Sequence, residues 1–287
     1  MTAFLLLRAM RPVQWTKNLL LFAALLFHLP ADNLAMVGRA IVAFLLYCAV
    51  SGCVYIFNDV VDLQSDRCNS EKQDRPLAAG TLSPHTALFF AGSLLLVALC
   101  AAFALGPLLA VTIAAYVILN VAYSLRIKRI PIADLFAIAA GFVLRAVAGG
   151  VAIRVPLTSW FLLCAMLLSL FLATSKRRYE LLKAEAEGAY HRAVLREYSP
   201  ELLNQLNSIT AALVIMSYSM FSFTSHHTRA LMLTIPFVIY GVFRYLLLVH
   251  TAGKGGRPEQ VLIQDRQILL TVFAFAALVV ILLWGFH

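Results

Sequence analysis

Apolar residues fill this chain in long runs separated by short polar stretches. A membrane-spanning helix needs about 20 mostly apolar residues, and nine runs approach that length, near residues 12–30, 36–57, 85–105, 107–124, 132–153, 157–175, 208–225, 229–249 and 266–286. The pattern predicts an all-α, polytopic membrane bundle of about nine transmembrane helices, forming one integral-membrane domain over residues 1–287. The first run is the weakest. Its purely apolar part, residues 19–29 apart from His28, crosses only if the polar stretch 14–18 is counted in, and those side chains must then face protein or water. The third and fourth runs are divided by Gly106-Pro107, which predicts a tight hairpin turn because proline disrupts a helix interior. Residues 1–10 are too short for a signal peptide and lack a small-residue cleavage site, so none is expected.

Composition sharpens the class. At 62% hydrophobic and 13% charged residues, no soluble core could hide this much apolar surface. The formal net charge of +9 then reads as loops facing anionic headgroups, and nucleic acid is not expected as a partner. With a cytoplasmic N-terminus, the loops on that side carry eighteen Lys and Arg, whereas the opposite face keeps Arg39, Arg154 and Arg229. This asymmetry places the loops at 58–84, 125–131, 176–207 and 250–265 in the cytoplasm, as for a plasma (inner) membrane protein. The five cysteines, Cys48, Cys53, Cys68, Cys100 and Cys164, form no C-x-x-C pair and read as reduced packing residues.

Every polar motif of interest falls on the cytoplasmic side. Asn58, Asp59, Asp62 and Asp66 occupy one sector about 100° wide on a continuing helix. Like charges gathered beside a membrane call for a cation, and hard oxygen ligands suit Mg²⁺ bridging to phosphate. A solvated acidic helix end is the competing account. Arg75-Pro76 follows the acidic run, with Ser83-Pro84 reading as the N-cap and first position of the next helix. Arg11, Gln14, Trp15 and Asn18 share one helix face beside Lys17, which fits either interfacial anchors or a polar cavity wall.

A further group joins the fourth and fifth runs: Tyr123, Arg126, Lys128 and Asp134, with Arg145 deeper in the fifth. Asp134 and Arg145 lie three turns apart on one face, so they are substrate-binding candidates or a buried ion pair. Lys176-Arg177-Arg178 fits a phosphate or headgroup site, or a positive-inside stop. Residues 183–206 fit an amphipathic helix, covering the site or lying plainly on the surface. Glu259 and Asp265 either close over a substrate or, for Asp265, cap the last helix.

These residues carry a resemblance. Nine spans, Asn58-Asp59-x-x-Asp62-x-x-x-Asp66 after the second, and Arg75-Pro-x-Ala-Ala-Gly resemble the UbiA superfamily of intramembrane transferases over nearly the whole chain. Three further motifs resemble its polyprenyl-phosphate phosphoribosyltransferase branch, the decaprenyl-phosphate enzymes of arabinose-donor lipid synthesis. They are Arg11-Pro-x-Gln14-Trp15-x-Lys17-Asn18, Gly141-Phe-x-x-Arg145-Ala-x-Ala-Gly149-Gly150, and Ser159-Trp160-Phe161 with Lys176-Arg177. One departure matters. Prenyl-diphosphate-using members carry a second aspartate motif after the sixth span, but residues 175–206 contain no aspartate.

The resemblance implies transfer of phosphoribosyl from phosphoribosyl pyrophosphate to a polyprenyl phosphate, dependent on Mg²⁺ held by Asp59, Asp62 and Asp66. Asn58 would orient a ligand or water. Lys17, Arg75 and Lys128 would hold donor phosphates, with Gln14, Trp15, Tyr123, Asp134, Arg145, Lys176 and Arg177 as further binding candidates. It also implies self-association. Two rivals are a UbiA-type prenyltransferase with an aromatic or other acceptor, which the absent second motif disfavours, and a transporter. A transporter should show midplane coupling residues and an internal repeat, and neither is found.

Overall fold

The computed structural model describes residues 2–28, 34–69, 72–188, 192–224, 229–251, 261 and 264–285. Among them, eight helices are long and apolar enough to cross a membrane, and the protein is a multi-pass integral membrane bundle. A short helix α1 (Thr2–Ala9) leads into a 3₁₀ segment (Pro12–Phe22) and α2 (Ala23–Leu26). There follow α3 (Leu34–Val61), α4 (Leu63–Arg67), α5 (Pro84–Leu105), α6 (Pro107–Leu125), α7 (Ala133–Ile153), α8 (Ser159–Glu187), α9 (Pro200–Phe223), α10 (Ile235–Thr251) and α11 (Arg266–Gly285). Glu259 lies outside the described residues.

The weak first run is built differently from the rest. Eleven residues as an α-helix would rise about 16.5 Å at 1.5 Å each, but a 3₁₀ helix climbs about 2.0 Å per residue, so the same stretch reaches about 22 Å. The tighter winding gives a short apolar run more reach. Pro12 occupies its first turn, where its missing N–H costs nothing. Arg11, just before it, is held at φ 53°, a left-handed conformation uncommon outside glycine.

Turn chemistry divides the bundle as expected at Gly106, which separates α5 from α6 with Pro107 opening the latter. Pro84 likewise opens α5, although Ser83 makes no side-chain cap bond. Two boundaries differ from the sequence reading. The sixth run does not stop at Lys176: α8 continues to Glu187 and ends on Gly188 at φ 65°. No single helix covers 183–206, because that left-handed glycine and Pro200 bracket a separate 3₁₀ turn (Ala193–Glu197). Leu195 and Leu203 are buried there, so the segment is docked into the bundle. Asp265 is a cap, accepting from the Ile268 N–H at 2.9 Å while pairing with Arg244.

Two layers of core follow from this order. One joins the 3₁₀ segment with α3, α5, α6 and α7 through Leu21, Tyr47, Val50, Leu109, Ile113 and Tyr116. The other joins α7 to α10 through Leu135, Phe171, Leu181, Leu203 and Tyr245. Between α8 and α9, Thr174 and Ser175 both donate to Asn207 Oδ1, at 3.0 and 2.9 Å, a buried polar tie of the kind that holds helices together in lipid. Phe89, Leu96, Val97 and Phe103 of α5 point outward, as a lipid-facing surface requires.

Candidate active site

The end of α3 sets the site. Backbone bonding persists past Val61, from Asp62 N–H to Asn58 O at 2.9 Å and from Asp66 N–H to Asp62 O at 2.8 Å. Asp62 itself departs from helical geometry at φ −96°, ψ 10°, and the acidic residues divide. Asp59 and Asp66 are buried, whereas the Asp62 side chain is 39% exposed.

Arg75 Nη1 bridges the two buried carboxylates, 3.1 Å from Asp59 Oδ1 and 2.5 Å from Asp66 Oδ2. Arg11, fixed in its left-handed turn, also donates to Asp59 and lies over the Tyr55 ring. Burial and the neighbouring Arg11 charge lower the Arg75 pKa, with the two carboxylates working in the opposite sense. Lys128, from the turn after α6, pairs with Asp62. Ser124, buried near the end of α6, donates to Asn58 Oδ1.

The donor set suits a hard divalent cation in part. Two buried carboxylates already converge on one cationic nitrogen, and Lys72 Nζ stands 3.1 Å from Asp66 Oδ1. Magnesium commonly takes one or two protein carboxylates and fills its remaining positions with water and substrate phosphate. Asp62 is turned toward Lys128, and among the described residues no three His, Cys, Asp or Glu side chains gather closely enough to hold a metal. The single sector expected for all three aspartates is therefore split at the Asp62 kink.

Asp134 and Arg145 do not meet. Asp134, in the first turn of α7, pairs with Arg177 Nη2 at 2.9 Å and accepts from Tyr198 Oη at 2.8 Å. Tyr198 Oη in turn accepts from the Ile132 N–H at 2.7 Å. Ile132 needs that support, since a β-branched residue at φ 66° is strained by about 1–3 kcal/mol. Burial raises the Tyr198 pKa, which keeps the phenol protonated for its bond to Asp134. Arg177 also reaches Glu180 at 2.5 Å.

Arg145 sits deeper. It donates to Asn18 Oδ1 at 2.8 Å, Tyr116 Oη at 2.8 Å and Gly141 O at 3.0 Å, and its guanidinium lies over Tyr116 and Phe142. Asn18 continues the chain of contacts to Ser51, 3.2 Å away. Lys17 and Gln14 share this 3₁₀ segment, and Trp15 packs against the buried cluster that includes Ala9, Met10 and Ile56.

Three participants escaped the sequence reading. Ser124, Glu180 and Arg192 carry no motif, and Arg192 registers there only as one more cytoplasmic charge. It reaches Tyr123 Oη at 3.3 Å and Glu180 Oε2 at 3.6 Å. Burial opposes its charge, but Glu180, Tyr123 and Asp62 outweigh that effect and hold its pKa above the ordinary value.

Comparison with known proteins gives a consistent assignment. The profile of the UbiA prenyltransferase family matches residues 18–261. Decaprenyl-phosphate phosphoribosyltransferase of Corynebacterium glutamicum is 36% identical, over 94% of this chain and 84% of that protein. The protein of the same name from Mycolicibacterium smegmatis is 32% identical, over 94% and 89%. Among solved structures, a UbiA homolog from Archaeoglobus fulgidus bound to GPP and Mg²⁺ superposes with a TM-score of 0.75 over 98% of this chain and 99% of that one, at 18% identity. That likeness carries the fold.

Proposed function

The chain belongs to the UbiA prenyltransferase family, and from that premise we propose that it transfers 5-phosphoribosyl from phosphoribosyl pyrophosphate to a polyprenyl phosphate, releasing pyrophosphate. The carrying observation is the convergence of two buried carboxylates, Asp59 and Asp66, on one nitrogen of the partly exposed Arg75. The relatives named decaprenyl-phosphate phosphoribosyltransferase supply the substrate class. The absence of aspartate from residues 175–206 disfavours a prenyl-diphosphate donor.

In this reading Asp59 and Asp66 hold Mg²⁺, with Asp62 the third candidate ligand. The bound ion would neutralise charge on the departing pyrophosphate. Arg75 and Arg11 bind the diphosphate and keep that charge stabilised as the C1–oxygen bond breaks, leaving an oxocarbenium-like ribosyl group, and Lys128 is a further donor-phosphate ligand. An oxygen of the lipid phosphate forms the new bond to C1. That oxygen is already anionic, so no residue has to take a proton, in keeping with a site built of carboxylates, guanidiniums and amines. Asn58, held by Ser124, orients a ligand or water. Tyr123, Lys17, Gln14, Trp15 and Lys176 line the approach, while Asp134, Arg177 and Arg145 position the helices that carry it. The excess of Lys and Arg in these loops favours a site facing the cytoplasm of the plasma membrane, and the polyprenyl tail enters from lipid.

The test is direct. Purified protein, Mg²⁺, ribose-labelled phosphoribosyl pyrophosphate and polyprenyl phosphate should put label into the lipid phase. Label that stays in water, with transfer seen instead from a prenyl diphosphate to an aromatic acceptor, would replace this reading by the prenyltransferase one.

A further inference from the structure

Phosphoribosyl pyrophosphate is anionic at both ends, with a diphosphate on C1 and a phosphate monoester on C5. A prenyl diphosphate is anionic at one end only. Two charged groups adjoin at this end of the bundle. The first is Asp59, Asp66, Arg75 and Arg11. The second gathers Lys128 at Asp62, and Arg192 between Tyr123 and Glu180. Asp59 and Asp62 are three residues apart, about 4.5 Å of helix rise, so the two groups are neighbours without sharing a carboxylate.

The second group is built to hold something. Arg192 opens the segment whose Val194, Leu195 and Tyr198 are buried, and Tyr198 is bonded to both Asp134 and Ile132. The guanidinium is therefore carried on a docked strap, yet its side chain keeps 34% exposure and can meet a ligand. Glu180 is shared by Arg192, Arg177 and Lys176, so Arg192 does not hold a carboxylate to itself. Guanidinium and phenol together offer donors suited to phosphate oxygens.

Resting on the donor proposed above, we infer that Arg192, with Tyr123 and Lys128, holds the 5-phosphate of phosphoribosyl pyrophosphate, while the Asp59–Arg75 side holds the diphosphate. The strap lies on the connection between α8 and α9, where Arg192 contacts Tyr123 and Glu180. It meets the water-borne donor, and the acceptor's phosphate stays with its tail at the leaflet. A second phosphate subsite also distinguishes a ribosyl donor from a prenyl one.

Steady-state kinetics on full-length protein in lipid nanodiscs with Mg²⁺ test the assignment. Arg192→Gln should raise KM for phosphoribosyl pyrophosphate about 10- to 100-fold, the range for losing a charged hydrogen bond. It should weaken competition by ribose 5-phosphate by the same factor, and leave inhibition by pyrophosphate and KM for polyprenyl phosphate unchanged. Arg192→Lys should recover part of the loss. Should Arg192→Gln fail to fold, Tyr123→Phe, which removes one oxygen, should show the same selectivity at smaller size. Equal loss of ribose 5-phosphate and pyrophosphate competition, a shift in the lipid KM instead, or indifference of both variants overturns the subsite. Wild-type protein that puts no label into lipid overturns the proposed reaction itself, which separates the two failures.

Discussion

Arg177 Nη2 stands 2.9 Å from Asp134 Oδ2, with the two side chains 2% and 0% exposed. The pair ties α8 to the first turn of α7 at the level of the site. Removing one partner of such a pair strands the other charge away from water, at a cost of about 3–5 kcal/mol, whereas replacing both with apolar residues is often neutral. We expect Asp134→Asn and Arg177→Met each to lower the unfolding midpoint in detergent sharply, and Asp134→Leu with Arg177→Met to cost less than either alone. Single variants as stable as wild type would mean the two residues are not coupled, and Asp134 and Arg177 would return to the list of residues free to touch substrate.

Metal dependence should follow the split between the acidic residues. Asp59→Asn and Asp66→Asn should each lower transfer about 10²- to 10³-fold, the scale of losing one stabilising group for developing charge, with an unaltered size-exclusion profile. Asp62→Asn, whose carboxylate is half-exposed and turned to Lys128, should be milder and should raise the Mg²⁺ concentration needed for half-maximal rate. Chelation should abolish transfer and Mg²⁺ restore it. Full turnover in Asp59→Asn would remove the basis for the metal site.

Much of this architecture is legible in local sequence, because lipid forces every backbone group into a helix and helix length is written in apolar runs. Gly106-Pro107 marks its turn for the same local reason. Arg75 follows Asp66 closely enough that a short loop returns it to the acidic helix end. Partner choice is different. Periodicity reports which face a residue occupies, so Asp134 and Arg145 read as a pair on one face of α7, yet their partners are Arg177 and Asn18, from α8 and the 3₁₀ segment. Arg192 is indistinguishable from any positive-inside charge until the strap is docked. The 3₁₀ segment also takes its partners from outside, from α7 through Arg145 and from α3 through Ser51.

Arg145 shows what that packing depends on. Its described bonds go to neutral oxygens of Asn18, Tyr116 and Gly141, and its charge is spread over two aromatic faces. A hydrogen bond to a charged group is worth about 1.5–3 kcal/mol, and a lysine cannot reproduce the fork. We expect Arg145→Lys and Asn18→Ala to destabilise the protein and to be non-additive by about 0.5–3 kcal/mol in a double-mutant cycle, read from unfolding midpoints. Strict additivity would mean that the Arg145–Asn18 bond does not hold the 3₁₀ segment in place.

Gly149 tests the same interface from the other side. A Cβ added there would lie 2.2 Å from Leu21 O and 2.9 Å from Leu21 C, backbone atoms that cannot rotate away. Only glycine lets α7 approach the 3₁₀ segment this closely. Gly149→Ala should therefore push residues 12–22 off α7, costing about 1–3 kcal/mol as an overpacked contact, and should raise KM for the donor by shifting Arg11 and Lys17. Gly92→Ala in α5, where nothing lies within 4 Å of the new atom, should be neutral or slightly stabilising, since alanine is favoured over glycine in a helix by about 1 kcal/mol. The two variants bracket the claim: if their unfolding midpoints and donor KM values are alike, the contact between Gly149 and Leu21 is not what seats the first segment.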